Sequence, residues 1–311
     1  MDKPEIVFVG GGPEWYVQRF ADDFFLHRLP DGNAGGLNDQ VRSRVRALVA
    51  AGPVSAELIA ALPRLELIAN AGAGYDKVDM DAAARRSIAV TNTPDVTDEC
   101  VADLAMALLL AVARDVLRGD RFVRAGKWTQ NSYPLVRKVG DRKVGILGMG
   151  RIGRAIARRA AAFNMPVGYH NRKPLESEAY TYFNSLPELA AWADVLVVAC
   201  PGGTATHHLV DRAVLKALGS EGIVVNISRG AVIDEQAMIE ALEQGEIAGA
   251  GLDVFEHEPF VPERLMSLEN VVLMPHRGGG TIETWEDACD LVKANLSAFF
   301  ESRALLTPVA G

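Results

Sequence analysis

Apolar positions follow two rhythms along the chain. Short runs rich in Val and Ile, bounded by Gly, Pro, Asn or Asp, alternate with longer alanine-rich segments whose apolar residues return every three or four positions. The first rhythm reads as strands buried on both faces and the second as helices, and their alternation predicts parallel sheets covered by helices. The strands fall into two series: "EIVFVG", "LELIAN" and "SIAVTN", then "KVGILG", "MPVGYH", "DVLVVAC", "GIVVNIS", "IAGAGLDVF" and "NVVLMP". Between them, "TDECVADLAMALLLAVARDVLRG" carries apolar residues at 101, 104, 105, 108, 109 and 112, which share one helical face. With Thr97 or Asp95 as its N-cap, this segment predicts a helix joining two domains. A last helical pattern, from about Thr284 to Phe300, is expected to pack back on the first domain.

The bulk properties agree with a two-domain α/β protein. The chain has 311 residues, 49% hydrophobic and 23% charged, which excludes disordered and fibrous classes. The expected architecture is two Rossmann- or flavodoxin-like doubly wound parallel-sheet domains with a cleft between them. Residues 1–96 with 287–311 would form one domain and residues 97–286 the other. A net charge of -8 without any Lys/Arg run excludes the electrostatic footprint of a nucleic-acid binder. Cys100, Cys200 and Cys289 stand singly, giving neither a disulfide framework nor metal-ligand spacing, and "MDKPEIVFVGGG" enters a strand without signal-peptide features. The longest apolar run, "LAMALLLAVA", is shorter than the roughly 20 residues of a membrane span. A cytoplasmic location without membrane contact is expected.

The second series opens with a strand, a glycine turn and a helix: "KVGILGMGRIGRAIARRAAAF" holds Gly148, Gly150 and Gly153 in G-x-G-x-x-G spacing. In that context the first glycine permits the turn, the second admits a pyrophosphate to the backbone, and the third lets helix and strand approach closely. Dinucleotide binding follows. The earlier "VFVGGGPEW" is rejected as a nucleotide site, because Trp15 occupies the third glycine's place and Pro13 intervenes. About 20 residues after the accepted turn, an acid would hold the ribose hydroxyl of NAD. The strand instead ends "VGYHNRKP", where Asn171, Arg172 and Lys173 offer donors and positive charge to a 2′-phosphate. NADPH is therefore expected in preference to NADH.

Ligands of open α/β sheets lie beyond the carboxyl ends of the strands. Three ionisable residues follow such ends: Arg229 after "GIVVNIS", Glu258 after "AGAGLDVF", and His276 after "NVVLMP". Together they suit reduction of a 2-oxo acid. The arginine would hold the carboxylate and polarise the keto oxygen, the histidine would donate the proton that accompanies hydride transfer, and a neighbouring carboxylate favours the imidazolium form of that acid.

The motifs "NAGAGYDKVD", "NTPDVTDECVADLA", "GILGMGRIG", "NISRGAVIDE", "GLDVFEHEP" and "MPHRGGG" stand in one order along nearly the full length. The chain in this respect resembles the D-isomer-specific 2-hydroxyacid dehydrogenases, and within them the glyoxylate/hydroxypyruvate reductase group. The resemblance implies that Arg229 orients substrate, that His276 is the acid/base with Glu258 as partner, and that backbone amides at Ala73 and Gly74 hold the substrate carboxylate. It also implies that Asp253 binds the nicotinamide carboxamide. Thr97, Arg151, Ile152 and Cys200 would line the cofactor, as would Pro201, Thr206, Ile227 and Gly279, beside Arg229 and His276. A homodimer built through the connector is implied as well. Two departures stand out: Arg277 replaces the family's usual aliphatic residue after the histidine, and three glycines follow where Gly-Ser or Gly-Ala is usual.

Other polar residues carry blander expectations. His207 and His208 are adjacent and lack the spacing of two ligands on one helix face, so packing is expected there and no metal site is proposed. Tyr75 and Trp128 read as packing aromatics, Cys200 as a small hydrophobe, and Glu256 as a loop carboxylate equivalent to Glu258 except in the family pattern. The expected activity is NADPH-dependent reduction of glyoxylate or hydroxypyruvate. A bulkier 2-oxo acid such as an aryl pyruvate is one alternative, and a non-catalytic dinucleotide sensor on the same scaffold is another.

Overall fold

The structure is a computed structural model and describes residues 3–176 and 179–309. Two compact units are present, one of Met1–Thr97 with Thr281–Gly311 and the other of Asp98–Gly280. The chain thus passes back to the first unit at Gly280, where Thr281 caps helix Ile282–Phe300 by accepting from Thr284 N. The expected boundary near 286 lay inside that helix.

The first unit holds a parallel sheet of β1 (Glu5–Gly10), β2 (Phe25–Leu29), β3 (Ala47–Ala51), β4 (Leu67–Asn70) and β5 (Ala89–Thr91), in the order β2-β1-β3-β4-β5. Strand β1 explains why the apolar run is continuous: Val7 and Val9 enter one core while Ile6 and Phe8 enter the other. Helix Ile282–Phe300 supplies Cys289, Val292 and Leu296 to the second of these cores. Asn295 is fully buried there, donating to Leu291 O and Thr307 Oγ1 and accepting from Leu306 N and Thr307 N. That pairing ties the C-terminal tail to the helix.

The second unit holds β6 (Val144–Leu147), β7 (Val167–His170), β8 (Thr181–Tyr182), β9 (Val195–Val198), β10 (Ile223–Asn226), β11 (Gly249–Leu252) and β12 (Val271–Leu273). All pair in parallel, in the order β12-β11-β10-β9-β6-β7-β8. Strand order reverses at β6, the topological switch point where such sheets bind ligands. Helix Asp98–Ala113, read from the 101–112 pattern, packs on this sheet so closely that a Cβ at Gly251 would lie 2.8 Å from Leu108 Cβ. Small residues in "AGAGL" therefore record helix proximity.

Strands β2, β3 and β8 are absent from the sequence reading. "ALVAA" is alanine-rich and carries no strand rhythm of its own, β2 is an edge strand with only Leu29 fully buried, and β8 is two residues long.

Candidate active site

At the end of β6 the three glycines perform separable tasks. Gly148 sits at φ +100, and a Cβ there would lie 2.5 Å from Cys200 N, so the turn requires glycine on both counts. A Cβ at Gly153 would lie 2.3 Å from Gly148 O, which fixes close packing of helix Arg151–Ala162 against the turn. Gly150 is different: nothing lies within 4 Å of its would-be Cβ, and it caps that helix without a side chain. The backbone is thus open to an anion at a helix N-terminus, the fit a pyrophosphate requires.

The turn is held from β7. Asn171 Oδ1 accepts from Met149 N at 2.8 Å, so Asn171 braces the phosphate turn from below, while Arg172 and Lys173 beside it are exposed. Arg151 extends from the helix start to pair with Asp98 at 3.4 Å, and Ile152 packs into the core beneath. Beyond β9, Cys200 is buried, and burial pushes its thiol up to about 11. It is therefore a neutral packing group near neutral pH. Thr206 donates to Pro201 O at 2.8 Å and to Gly203 O at 3.2 Å, closing the loop after β9 on itself.

Arg229 follows β10. Its side chain lies over Gly202, where a Cβ would be 2.6 Å from Arg229 Cγ, and its Nη1 donates to Ser228 O at 2.8 Å. Asn226 Nδ2 closes the turn by donating to Arg229 O at 3.0 Å, and Ile227 is buried.

His276 and Glu258 meet. Nδ1 of His276 lies 2.8 Å from Glu258 Oε2, while Glu258 Oε1 accepts from Phe255 N at 3.2 Å. With Nδ1 engaged, Nε2 is the nitrogen offered outward from a side chain 40% exposed. Glu256, the alternative partner in sequence, faces elsewhere: it accepts from His208 Nε2 at 2.8 Å or donates to it according to protonation.

Asp253 holds the histidine in place. Its carbonyl accepts from His276 N at 2.8 Å, and its carboxylate accepts from Arg277 N at 2.6 Å and Gly278 N at 2.7 Å. These bonds support His276 at φ +53, a left-handed conformation that costs a non-glycine residue about 1–3 kcal/mol. Burial, outweighing the two amide bonds, raises Asp253's carboxyl above the ordinary range. Sequence spacing gave no sign of this brace, because it depends on the turn's backbone geometry.

Along the carboxyl edge in sheet order stand His276 after β12, Asp253 and Glu258 after β11, Arg229 after β10, Cys200 and Pro201 after β9, the glycine turn after β6, and Asn171–Lys173 after β7. Parallel neighbours are about 4.8 Å apart, so β10 and β12 lie on the order of 10 Å from each other, a span that an arginine and a histidine can close from either side. Gly279 is half-buried two residues past Arg277.

In the first unit, the segment after β4 forms a small turn of its own. Asn70 Nδ2 donates to Gly72 O and Gly74 O, and Asn92 Nδ2 donates to Ala73 O. These bonds take up the carbonyls on either side of the Ala73 and Gly74 amides. Thr97, the last residue of this unit, precedes helix Asp98–Ala113.

Residues 106–278, more than half of the chain, match the family model described as the NAD binding domain of D-isomer specific 2-hydroxyacid dehydrogenases. The chain belongs to the D-isomer-specific 2-hydroxyacid dehydrogenase family. Glyoxylate/hydroxypyruvate reductase A of Arabidopsis thaliana is 49% identical over 270 residues, 86% of each chain. Hydroxyphenylpyruvate reductase of Plectranthus scutellarioides is also 49% identical, over 82% of this chain and 81% of its own. Among solved structures, the NADPH-dependent glyoxylate/hydroxypyruvate reductase of Sinorhizobium meliloti, in complex with NADP and malonate, superposes with a TM-score of 0.94 at 41% identity, covering 99% of this chain and 97% of that one. As a dehydrogenase of this family the protein is an enzyme, an oxidoreductase whose second unit is its dinucleotide-binding domain.

Proposed function

We propose that the protein reduces glyoxylate or hydroxypyruvate to glycolate or D-glycerate with NADPH. The reading is carried by one observation: the His276–Glu258 pair at 2.8 Å lies on the same sheet edge as Arg229 and the glycine turn, in the order that an extended dinucleotide demands. The bound cofactor supplies the hydride. His276, oriented through Nδ1 by Glu258, donates the proton to the keto oxygen from Nε2, so that carbonyl, hydride and proton together give the hydroxyl carbon. Arg229 holds the substrate's carboxylate and polarises its carbonyl. The amides of Ala73 and Gly74, with neighbouring carbonyls already taken up, form a carboxylate-binding turn in the first unit.

NADPH is favoured over NADH because the end of β7 carries Arg172 and Lys173 and no acid. Thr97, Arg151, Ile152, Cys200, Pro201 and Thr206 are assigned to the cofactor's surround, as are Ile227, Asp253 and Gly279. The reductase of Sinorhizobium meliloti, NADPH-dependent by name, supports the choice.

An aryl pyruvate is the second reading, because a hydroxyphenylpyruvate reductase matches as closely in identity as a glyoxylate/hydroxypyruvate reductase does. A homodimer is proposed from the connector region. Helix Val116–Arg124 buries none of its residues, and Leu117, Val123 and Leu135 stay exposed on and beyond it, as does Trp128, contrary to the packing expected of it from the sequence. A cytoplasmic location is proposed from three free cysteines, and no helix among the described residues is long and apolar enough to cross a membrane.

Absorbance at about 340 nm, followed with NADPH or NADH against glyoxylate, hydroxypyruvate and hydroxyphenylpyruvate, tests the proposal. Fastest turnover on the two small acids supports it. Preference for the aryl acid selects the second reading, and tight cofactor binding without turnover on any acid selects a sensor.

A further inference from the structure

Outside the site above, one cluster of metal-binding side chains is assembled from two loops of the second unit. We propose that His207, His208 and Glu256 bind one divalent transition-metal ion, zinc foremost. Adjacent residues in extended backbone point apart, which is why the pair lacks ligand spacing in the sequence. His208 instead adopts φ +51, and the two imidazoles stack with centroids 3.9 Å apart and planes at 27°. Both rings then turn toward one carboxylate oxygen: Nε2 of His208 lies 2.8 Å from Glu256 Oε1, and Nε2 of His207 lies 4.0 Å from it.

One ligand atom from each of the three residues falls within 4.8 Å of the others. Donors sharing an ion at bond lengths of about 2.0–2.2 Å stand roughly 3 to 4 Å apart, so small side-chain rotations suffice to close the shell. The backbone beneath is already fixed. His208 N donates to Ala231 O at 2.8 Å, Val210 N donates to Val232 O at 3.0 Å, and Glu256 N donates to Glu235 Oε2 at 3.2 Å. Two imidazoles and one carboxylate are a borderline donor set that selects zinc, nickel or cobalt over magnesium or calcium, which prefer all-oxygen shells. His207 is the most exposed of the three, leaving the remaining coordination to water.

The ion would clamp the loop after β9 to the loop after β11 without using His276 or Glu258. Without an ion, the same atoms would form only a histidine–glutamate hydrogen bond beside a stacked ring.

Zinc titration of the full-length, chelator-stripped protein by calorimetry separates the two. One zinc ion per chain is expected, with no comparable heat from magnesium. His207→Ala and Glu256→Gln should each weaken zinc by roughly tenfold or more. His276→Gln, which removes the other imidazole–carboxylate pair, should leave zinc affinity unchanged. Cobalt gives a second readout, since its visible ligand-field spectrum changes when nitrogen ligands replace water, and that change should vanish in His207→Ala. If Glu256→Gln fails to fold by circular dichroism, the exposed His207→Ala variant and the cobalt spectrum decide alone. Absence of zinc binding by the unaltered protein overturns the proposal, and so does equal binding by the unaltered protein and the two ligand variants.

Discussion

Nδ1 of His276 and Oε2 of Glu258 lie 2.8 Å apart although the residues leave different strands, β12 and β11. The contact fixes which imidazole nitrogen faces outward, and with it the atom that can deliver a proton. His276→Gln should lower turnover by roughly 100-fold or more while cofactor binding persists, the usual contribution of a general acid. Glu258→Gln should retain more activity than that, because the amide oxygen still accepts from Nδ1–H and keeps the ring oriented. Unchanged turnover in His276→Gln removes the histidine from the mechanism.

The glycine turn yields a contrast between two similar substitutions. Gly150→Ala adds a methyl group into open space, so the fold should keep its melting temperature while NADPH binding weakens, since the methyl stands where a phosphate approaches. Gly153→Ala forces a Cβ to 2.3 Å from Gly148 O and should lower both melting temperature and cofactor affinity. Thermal unfolding with and without NADPH checks both variants, and equal behaviour of the two contradicts the division of labour.

Parallel architecture, the glycine turn and the three ionisable residues at strand ends were legible because each rests on local patterning: continuous apolar runs, fixed glycine spacing, and polar residues just past a strand. What stayed hidden depends on backbone conformation. The brace from Asp253 to the turn at 276–278 requires left-handed backbone at His276, and the grouping of His207 and His208 on Glu256 requires it at His208. Neither residue is a glycine, so neither turn announces itself. Asn171 is a related case. Its place at the end of β7 suggests a phosphate donor, a role open to its Nδ2, while the bond its carboxamide oxygen accepts from Met149 N could not be read from spacing. Strand β3 was missed because "ALVAA" has helix-forming composition and becomes a strand only between β1 and β4.

Arg172 bears on cofactor choice. It is exposed at the end of β7, where a 2′-phosphate would make a charge-assisted bond of about 1.5–3 kcal/mol. Arg172→Ala should therefore raise the KM for NADPH by roughly tenfold or more and leave that for NADH nearly unchanged. Equal losses for both cofactors would refute recognition of the phosphate.

Cys200 sits beside the glycine turn yet should be chemically quiet. With its thiol pushed up to about 11 by burial, only on the order of one molecule in a thousand is thiolate at pH 8. Iodoacetamide should modify it slowly in the native protein, at a rate that climbs about tenfold per pH unit while the fold persists, and rapidly after unfolding. Peptide mapping after short exposure reads this directly. Fast native modification with loss of activity would restore a nucleophilic role.

Arg229 separates binding from chemistry. Its stem crosses Gly202 and one of its guanidinium nitrogens is anchored on Ser228 O, which restrains the side chain. A group that holds the carboxylate in the ground state and polarises the carbonyl in the transition state affects both kinetic constants. Arg229→Ala should raise KM for the 2-oxo acid and lower kcat together, and Arg229→Lys should recover charge but little of the bidentate geometry, restoring KM more than kcat. Steady-state kinetics at saturating NADPH measure the split. A change confined to NADPH affinity would mean that Arg229 serves the cofactor alone, and the substrate carboxylate would then have to be held entirely by other donors.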